Sequence, residues 1–474
     1  MYENIAESYP SEFFYSISKL KGSMSKNIIK VSADRDSASP GNITNLRLPI
    51  GSLIQMKSLA LWFKVTTSGT NVALPARYSS SFIKRLSLTF NNTTVAIIQD
   101  YNLLYNIYAD HNNKDKTKGI GGEFADNSIL WTETAGNSGQ SKITGQNSML
   151  AGVAHFDKVQ MCINNWLGFF GSDTSTSILP TDRVGEVVLS IEWENPANVL
   201  GGTAEATSVT YTDNSYSVSD IYLTCESLSF SDDSYYQSIG NKDLQFRFSD
   251  YIVTKFADVE KKTGINVTTY MSAGSISHIF GTCVQTVSGV SKMLAWGSES
   301  TGASDSTVIN LYKYLSDPEA YVGNNSGTST SDVAGDGFFS TLGFQRNLQH
   351  METSSFSINN KQLNYAPLNQ EEAFQNNLCA LGYEGVDASA NGLNATIVSL
   401  KHYYKYYGAC FQSLELINKD EYYISGLSSQ GSSCAVNWVC RFTGSSNTLT
   451  VTPLIVAKLD KVLHVKAGRI IQVE

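Results

Sequence analysis

The chain has 474 residues, of which 42% are hydrophobic, enough apolar material for one or more packed cores and too much for a disordered tether. Charged residues amount to 16%, against roughly 25% for an average soluble domain, while 25 Tyr and 21 Phe lift the aromatic share to 11%; this mixture favours strands joined by polar loops. The net charge of -9 has the wrong sign for coating nucleic acid, so no direct binding of nucleic acid by the folded body is expected.

The N-terminal segment MYENIAESYPSEFFYSISKLKG has no basic start followed by an apolar run, and no stretch approaches the ~18 apolar residues of a membrane-spanning helix. Within it, Phe13, Phe14, Ile17 and Leu20 form a short amphipathic stripe, with Lys19 and Lys21 beside it. A stripe this short orders only against a partner, which leaves residues 1 to 24 open as a frayed terminus, a strap on the first sandwich or an assembly arm.

Residues 53 to 66, LIQMKSLALWFKVT, form a long strand pattern whose imperfect alternation predicts burial on both faces over its second half. Residues 81 to 98 read as two strands around Asn91-Asn92, a pair that tolerates the positive φ of a tight turn. In QDYNLLYNIYADHNN, Tyr101, Leu104, Tyr105 and Tyr108 recur at helical spacing behind Asp100, a candidate N-cap. The second half repeats the arrangement: FSINNKQLNYAPLNQEEAFQNNLCAL places a strand, Asn359-Asn360, a short strand, and a helix with Ala373, Phe374, Leu378 and Leu381 on its apolar face. SLIQMKSLALWFKVTT from Ser52 echoes SISHIFGTCVQTV from Ser275, and each half closes on a strand, DIYLTCESLSF in one and KVLHVKAGRIIQV in the other.

These echoes predict two tandem antiparallel sandwiches, with one short helix per unit and a boundary near residues 231 to 243. Polar stretches at 111 to 148, 201 to 217, 297 to 307, 322 to 337 and 385 to 395 read as long surface loops.

No chemistry assembles from motifs. Gly119-Ile120-Gly121-Gly122 lacks the following glycine and lysine of a phosphate loop, and the six histidines are scattered without metal-ligand spacing, so neither cofactor nor metal is expected. The seven cysteines form no CxxC pair and read as small apolar core residues. Glu192 and Glu194 would share one strand face flanking Trp193, but with no second carboxylate cluster they read as an exposed edge or subunit contact rather than a glycosidase pair. The run HYYKYYGACF at 402 to 411 reads as core or subunit contact. No catalytic residue is assigned.

The segments LRLPIGSLIQMKSLALWF, LPARYSSSFIKRLSLTFNNTTVAIIQDYNLLYNIYAD, YYISGLSSQGSSCAVNWVCRF and VLHVKAGRIIQVE resemble the double jelly-roll major capsid proteins of tailless icosahedral viruses, of the virophage and polinton-like type. The resemblance implies an all-β fold of two eight-stranded jelly rolls, residues 25–235 and 236–474, behind the 1–24 arm. It also implies a homotrimer that tiles a virion shell beside neighbouring capsomers, penton and minor capsid proteins, with the arm reaching a neighbouring capsomer, a minor protein or an inner membrane surface. The alternative from another class is a β-sandwich spike or glycan-binding module of a virion.

Overall fold

The computed structural model describes residues 24–68, 72–73, 79–111, 131–132, 142–143, 158–171, 174, 177–199, 201–202, 215–230, 243–260, 264–285, 348, 351–380, 408–415, 424–430, 434–443, 450–466 and 470–473. Two antiparallel sandwiches follow one another along the chain. The first is built from β1 (Met24–Ser32), β2 (Ile43–Leu48), β3 (Leu53–Ser68), β4 (Ile83–Phe90), β5 (Thr93–Gln99), helix α1 (Tyr101–His111), β6 (Val159–Ile163), β7 (Val187–Trp193) and β8 (Ser215–Phe230). The second is built from β9 (Leu244–Lys255), β10 (Ile265–Met271), β11 (Ile276–Gln285), β12 (Met351–Ile358), β13 (Lys361–Gln362), helix α2 (Gln370–Ala380), β14 (Cys410–Ser413), β15 (Cys434–Phe442) and β16 (Thr450–Lys466).

The strand order is the same in both. The first sandwich faces a β1-β8-β3-β6 sheet against β2-β7-β4-β5; the second faces β9-β16-β11-β14 against β10-β15-β12-β13. This is the jelly-roll order, in which sequence-distant strands pair. Each sandwich therefore closes only when its last long strand, β8 or β16, has inserted between strands made much earlier. Short strands extend the sheets, among them Ser37–Ala38 beside β8, Ile178–Pro180 beside β3, and Val259–Glu260 and Ile470–Val473 beside β16.

Local sequence explains the repeated β4-β5 and β12-β13 hairpins. Asn91 and Asn92 adopt φ of 45° and 65°, and Asn359 and Asn360 adopt 49° and 64°, so each pair forms the left-handed two-residue turn that matches strand twist. Each hairpin is followed by a helix, as the spacing predicts, α1 directly after β5 and α2 after the intervening residues 363–369. In α1, Tyr101, Leu104 and Tyr105 are buried. Asp100, however, is no N-cap of the usual extended kind: its φ is 49°, and its carboxylate accepts a 2.6 Å hydrogen bond from Lys255 Nζ. The second helix does carry a capping box, in which Glu372 N donates to Asn369 Oδ1 at 2.8 Å while Asn369 N donates to Glu372 Oε2 at 3.0 Å. Of its expected apolar face, Ala373 is buried and Phe374 packs against the second core, whereas Leu381 lies outside the described residues.

Strand β3 departs from expectation. Its second half alternates cleanly, with Leu61, Phe63, Val65 and Thr67 buried and Trp62, Lys64 and Thr66 half-exposed on the other face. The irregularity lies upstream, where the pairing with β8 slips between Thr224 opposite Ala60 and Glu226 opposite Gln55. Ser58 holds this bulge, donating to Gln55 O at 2.6 Å and accepting from Glu226 N at 2.8 Å. The extra residues move the buried set from even positions (Ile54, Met56) to odd ones (Leu59, Leu61), so the sequence reads as apolar throughout.

Each core is organised by a fully buried tryptophan on the equivalent strand, β7 in the first sandwich and β15 in the second. Trp193, at the end of β7, meets Phe63 edge-on at 5.1 Å and donates to Thr44 Oγ1 at 2.9 Å. Trp438 of β15 stacks on Phe356 at 6.1 Å and donates to Ser354 Oγ at 3.0 Å. Truncating either ring would cost about 3–5 kcal/mol. The expected loop at 201 to 217 is shortened, since Ser215 to Ser217 already belong to β8; the loops at 297 to 307, 322 to 337 and 385 to 395 lie outside the described residues.

Candidate functional site: the junction of the two sandwiches

The side chains with work beyond their own sandwich gather where the first unit meets the second. The register of β11 with β16 and β14 puts Phe280, Val456 and Phe411 on one face of the sheet, and puts Gly281, against Trp438, on the face that lines the second core. Tyr108 of α1 sits on the former face, its ring 5.5 Å from Tyr251, 5.8 Å from Phe280 and 6.0 Å from Phe411, all edge-on. The sheet β9-β16-β11-β14 is thus apolar on both sides. Ile279, Ile455 and Ala457 pack into the second core, while Phe280, Leu454 and Val456 belong to the cluster continuous with the first.

A second contact comes from the turn after β6. Phe169 packs 6.0 Å from Phe246 and 5.2 Å from Phe248 on β9. Gly168 makes this approach possible: it adopts φ of +82°, and a β-carbon there would lie 2.7 Å from Ile98 Cδ1 and 3.6 Å from Ser249 O. At the rim, Lys255 and Asp100 pair across the junction. Phe411, from the expected sticky run at 402 to 411, is a core residue of this junction; positions 402 to 407 lie outside the described residues.

The equivalent outward face of the first sandwich, on the β1-β8-β3-β6 sheet, is dressed differently. Trp62 and Tyr222 stack at 6.4 Å, Lys30 Nζ lies 3.9 Å over the Tyr222 ring, and Trp62 donates to Thr224 Oγ1 at 3.0 Å. Lys26 pairs with Glu226 and Lys64 with Asp220, each at 2.6 Å, and the Asp220 carboxylate raises the Lys64 pKa by accepting its hydrogen bond. Ile28 stands among these side chains at 77% exposure.

Glu192 and Glu194 are not brought together. Pairing of β7 with β4 shifts between Glu192 and Trp193, and the strand ends there. Glu192 points outward into a shallow depression of about 500 Å³, held by Lys84 at 2.9 Å and Arg85 at 3.0 Å. Glu194 turns inward and is buried, accepting from Asn102 Nδ2 and Asn195 N at 2.7 Å each. It ties α1 to the end of β7, and beside it burial pushes the Tyr216 phenol well above its ordinary pKa. One carboxylate is clamped on the surface and the other is structural, so they do not form the shared face expected from strand alternation. Among the described residues no three metal-ligating side chains converge. The arm residues Phe13, Phe14, Ile17 and Leu20 lie outside the described residues.

No family model matches the sequence, and no curated protein matches it. Solved structures do match over nearly the full length. PBCV-1 VP54, as fitted into a reconstruction of the virophage Sputnik, shares 10% identity over 97% of this chain and 99% of that one, with a TM-score of 0.57. A subunit of the PBCV-1 capsid model shares 12% identity over 97% and 99% of the two chains, with a TM-score of 0.55. The Faustovirus major capsid protein shares 11% identity over 98% and 94%, with a TM-score of 0.53. At these identities the likeness establishes the fold, a double jelly roll, including both sandwiches and their order.

Proposed function

We propose that the chain is a major capsid protein, a structural subunit whose trimers form pseudo-hexagonal capsomers in an icosahedral virion shell. The observation that carries this reading is the duplicated strand order, with one unit's helix docked on the other's sheet, in a chain matched end to end by capsid subunits. A duplicated sandwich lets three chains supply six similar blocks, which is what a hexagonal lattice position requires. The subunit performs no catalytic step in this reading.

The reading divides the chain into the 1–24 arm, a first jelly roll at 25–235 and a second at 236–474. The arm, through Phe13, Phe14, Ile17 and Leu20, contacts a neighbouring capsomer, a minor capsid protein or an inner membrane surface, and the loops at 111 to 148 and 322 to 337 face outward. Penton and minor capsid proteins complete the set of partners. Negative-stain images of purified protein test the proposal: hexagonal trimeric particles support it, and a stable monomer at micromolar concentration by sedimentation overturns it. Deleting residues 1 to 24 is expected to leave a folded trimer and to impair shell assembly.

A further inference from the structure

The outward face of the β2-β7-β4-β5 sheet holds the depression lined by Glu192, about 500 Å³ in volume and roomy enough for a few residues of extended chain. Its floor is a row of short polar side chains, since Ser190 faces Asn45 on one side and Ser87 on the other. Both acids at the rim are already engaged. Asp34 accepts from Asn45 N at 2.9 Å and from Asn45 Nδ2 at 3.0 Å, while Glu192 is shared by Lys84 and Arg85. Arg35 is exposed and, like Ser87, makes no hydrogen bond or ion pair among the described residues. The spare capacity of the depression therefore lies in donors, and Ile43 and Ile97 stand beside them at 44% and 45% exposure. An occupant that fits carries carboxylates alternating with apolar groups.

We propose that this depression receives residues 1–7 of the same chain, MYENIAE, laid extended across the strands. The site lies within one chain and so does not depend on the capsomer reading. Residues 1–12 contain Glu3, Glu7 and Glu12 and no basic residue. In an extended segment alternate side chains share a face, which puts Met1, Glu3, Ile5 and Glu7 on one side at steps of about 7 Å. The sheet offers matching groups in the same order. Arg35 lies beyond β2, because Ala33 bridges Leu46 and Asp34 N donates to Asn45 O; Ile43 is on β2, Arg85 on β4 and Ile97 on β5. At about 4.8 Å per strand, Arg85 falls about 14 Å from Arg35 and Ile97 about 19 Å. Measured from Glu7, Glu3 and Met1 fall at about 13 Å and about 20 Å.

Length and direction allow this seating and fix its polarity. From Met24, where β1 begins, the chain covers at most about 36 Å to reach Arg35, whereas the residues between Glu7 and Met24 span up to about 56 Å when extended. The β5 side of the sheet lies against the second sandwich, so the segment enters over the β2 side. Glu7 then meets Arg35, Ile5 covers Ile43, and Glu3 reaches Arg85. With Met24 held by β8 and residues 1–7 held in the depression, the stripe of Phe13, Phe14, Ile17 and Leu20 becomes a loop fixed at both ends. Such a loop gives up less conformational freedom on meeting a neighbour than a free arm does.

The test uses the full-length chain and hydrogen exchange read by mass spectrometry on peptides covering residues 1–12. Amides of residues 2–8 are expected to exchange more slowly than those of the free synthetic peptide 1–12. Arg35→Glu should speed that exchange roughly fivefold or more, and Arg35→Glu combined with Glu7→Arg should restore the protection. Arg35 is exposed and outside both cores, and thermal melts report whether each variant is folded. Independently, Ile5→Cys with Ile43→Cys, treated with a short bismaleimide, should give an intrachain link that leaves the chain at monomer size on a denaturing gel. Exchange at residues 2–8 equal to that of the free peptide would overturn the inference, as would protection that ignores Arg35→Glu. Crosslinked dimers in place of the intrachain link would overturn the seating within one chain. Sedimentation keeps the two readings apart: a stable monomer sinks the capsomer reading alone and leaves this one standing.

Discussion

Gly281 of β11 lies so close beneath the indole of Trp438 that a β-carbon at this position would come within 2.4 Å of two ring carbons. The ring has nowhere to go, because it is fully buried, stacked on Phe356 and hydrogen-bonded to Ser354 Oγ. Gly281→Ala should therefore destabilise the second sandwich by at least the 1–3 kcal/mol typical of core overpacking. Urea denaturation measures this as a lower midpoint at unchanged slope, and a midpoint equal to that of the wild type would contradict the packing described.

The junction offers a choice between an ion pair and an aromatic anchor as the tie between sandwiches. Lys255 is half-exposed, so its pairing with Asp100 is screened by solvent and Asp100→Asn should cost less than about 1 kcal/mol. Tyr108 contacts three rings across the junction, and Tyr108→Ala should cost about 3 kcal/mol. The signature to look for in Tyr108→Ala is separation of a single unfolding transition into two, which Asp100→Asn should not produce.

What could be read from sequence was local. The Asn-Asn turns, their flanking strands and the helices after them are short-range signals, because positive φ at asparagine and a 3.6-residue apolar spacing act within a dozen residues. Where a bulge intervened, parity misled. The slip at Ser58 made β3 look buried on both sides, and the shift after Glu192 sent Glu194 to the interior rather than to its neighbour's face. The junction was invisible for a different reason. Tyr108 sits in the apolar stripe of its helix whether that stripe meets its own sandwich or another, and only three-dimensional pairing distinguishes the two.

The two residues of each hairpin turn should respond differently to substitution. Asn360 has φ of 64° and occupies a position that glycine fills without strain, so Asn360→Gly should be neutral or stabilising within about 1 kcal/mol. Asn359 does more, since its Oδ1 accepts from Ala435 N at 2.9 Å and its own N–H donates to Ala435 O at 2.9 Å, pinning the turn to the start of β15. Asn359→Ala loses the side-chain bond and places an alanine at φ of 49°, for a cost of about 1–2 kcal/mol. Thermal denaturation of the two variants side by side checks the asymmetry, and equal losses would contradict it.

The buried cysteines predict an alkaline limit to stability. Burial pushes the Cys410 thiol from 9.0 up to about 12 and the Cys225 thiol from 9.0 up to about 11. In the folded chain both remain protonated well above the pH at which the unfolded chain releases its thiol protons. Above pH 9 the native state thus binds more protons than the unfolded one, and stability falls as pH rises. The contribution is fully present below pH 9 and is lost between 9 and 11 for Cys225 and between 9 and 12 for Cys410, at up to roughly 1.4 kcal/mol per pH unit for each thiol. Other groups titrate in the same range, so the informative quantity is the difference in slope between the wild type and Cys410→Ala across pH 9 to 10.5. The alanine variant should start less stable and fall less steeply. Parallel slopes would mean that Cys410 ionises in the native state, and rapid native-state labelling of that thiol by iodoacetamide at pH 8 would show the same thing directly.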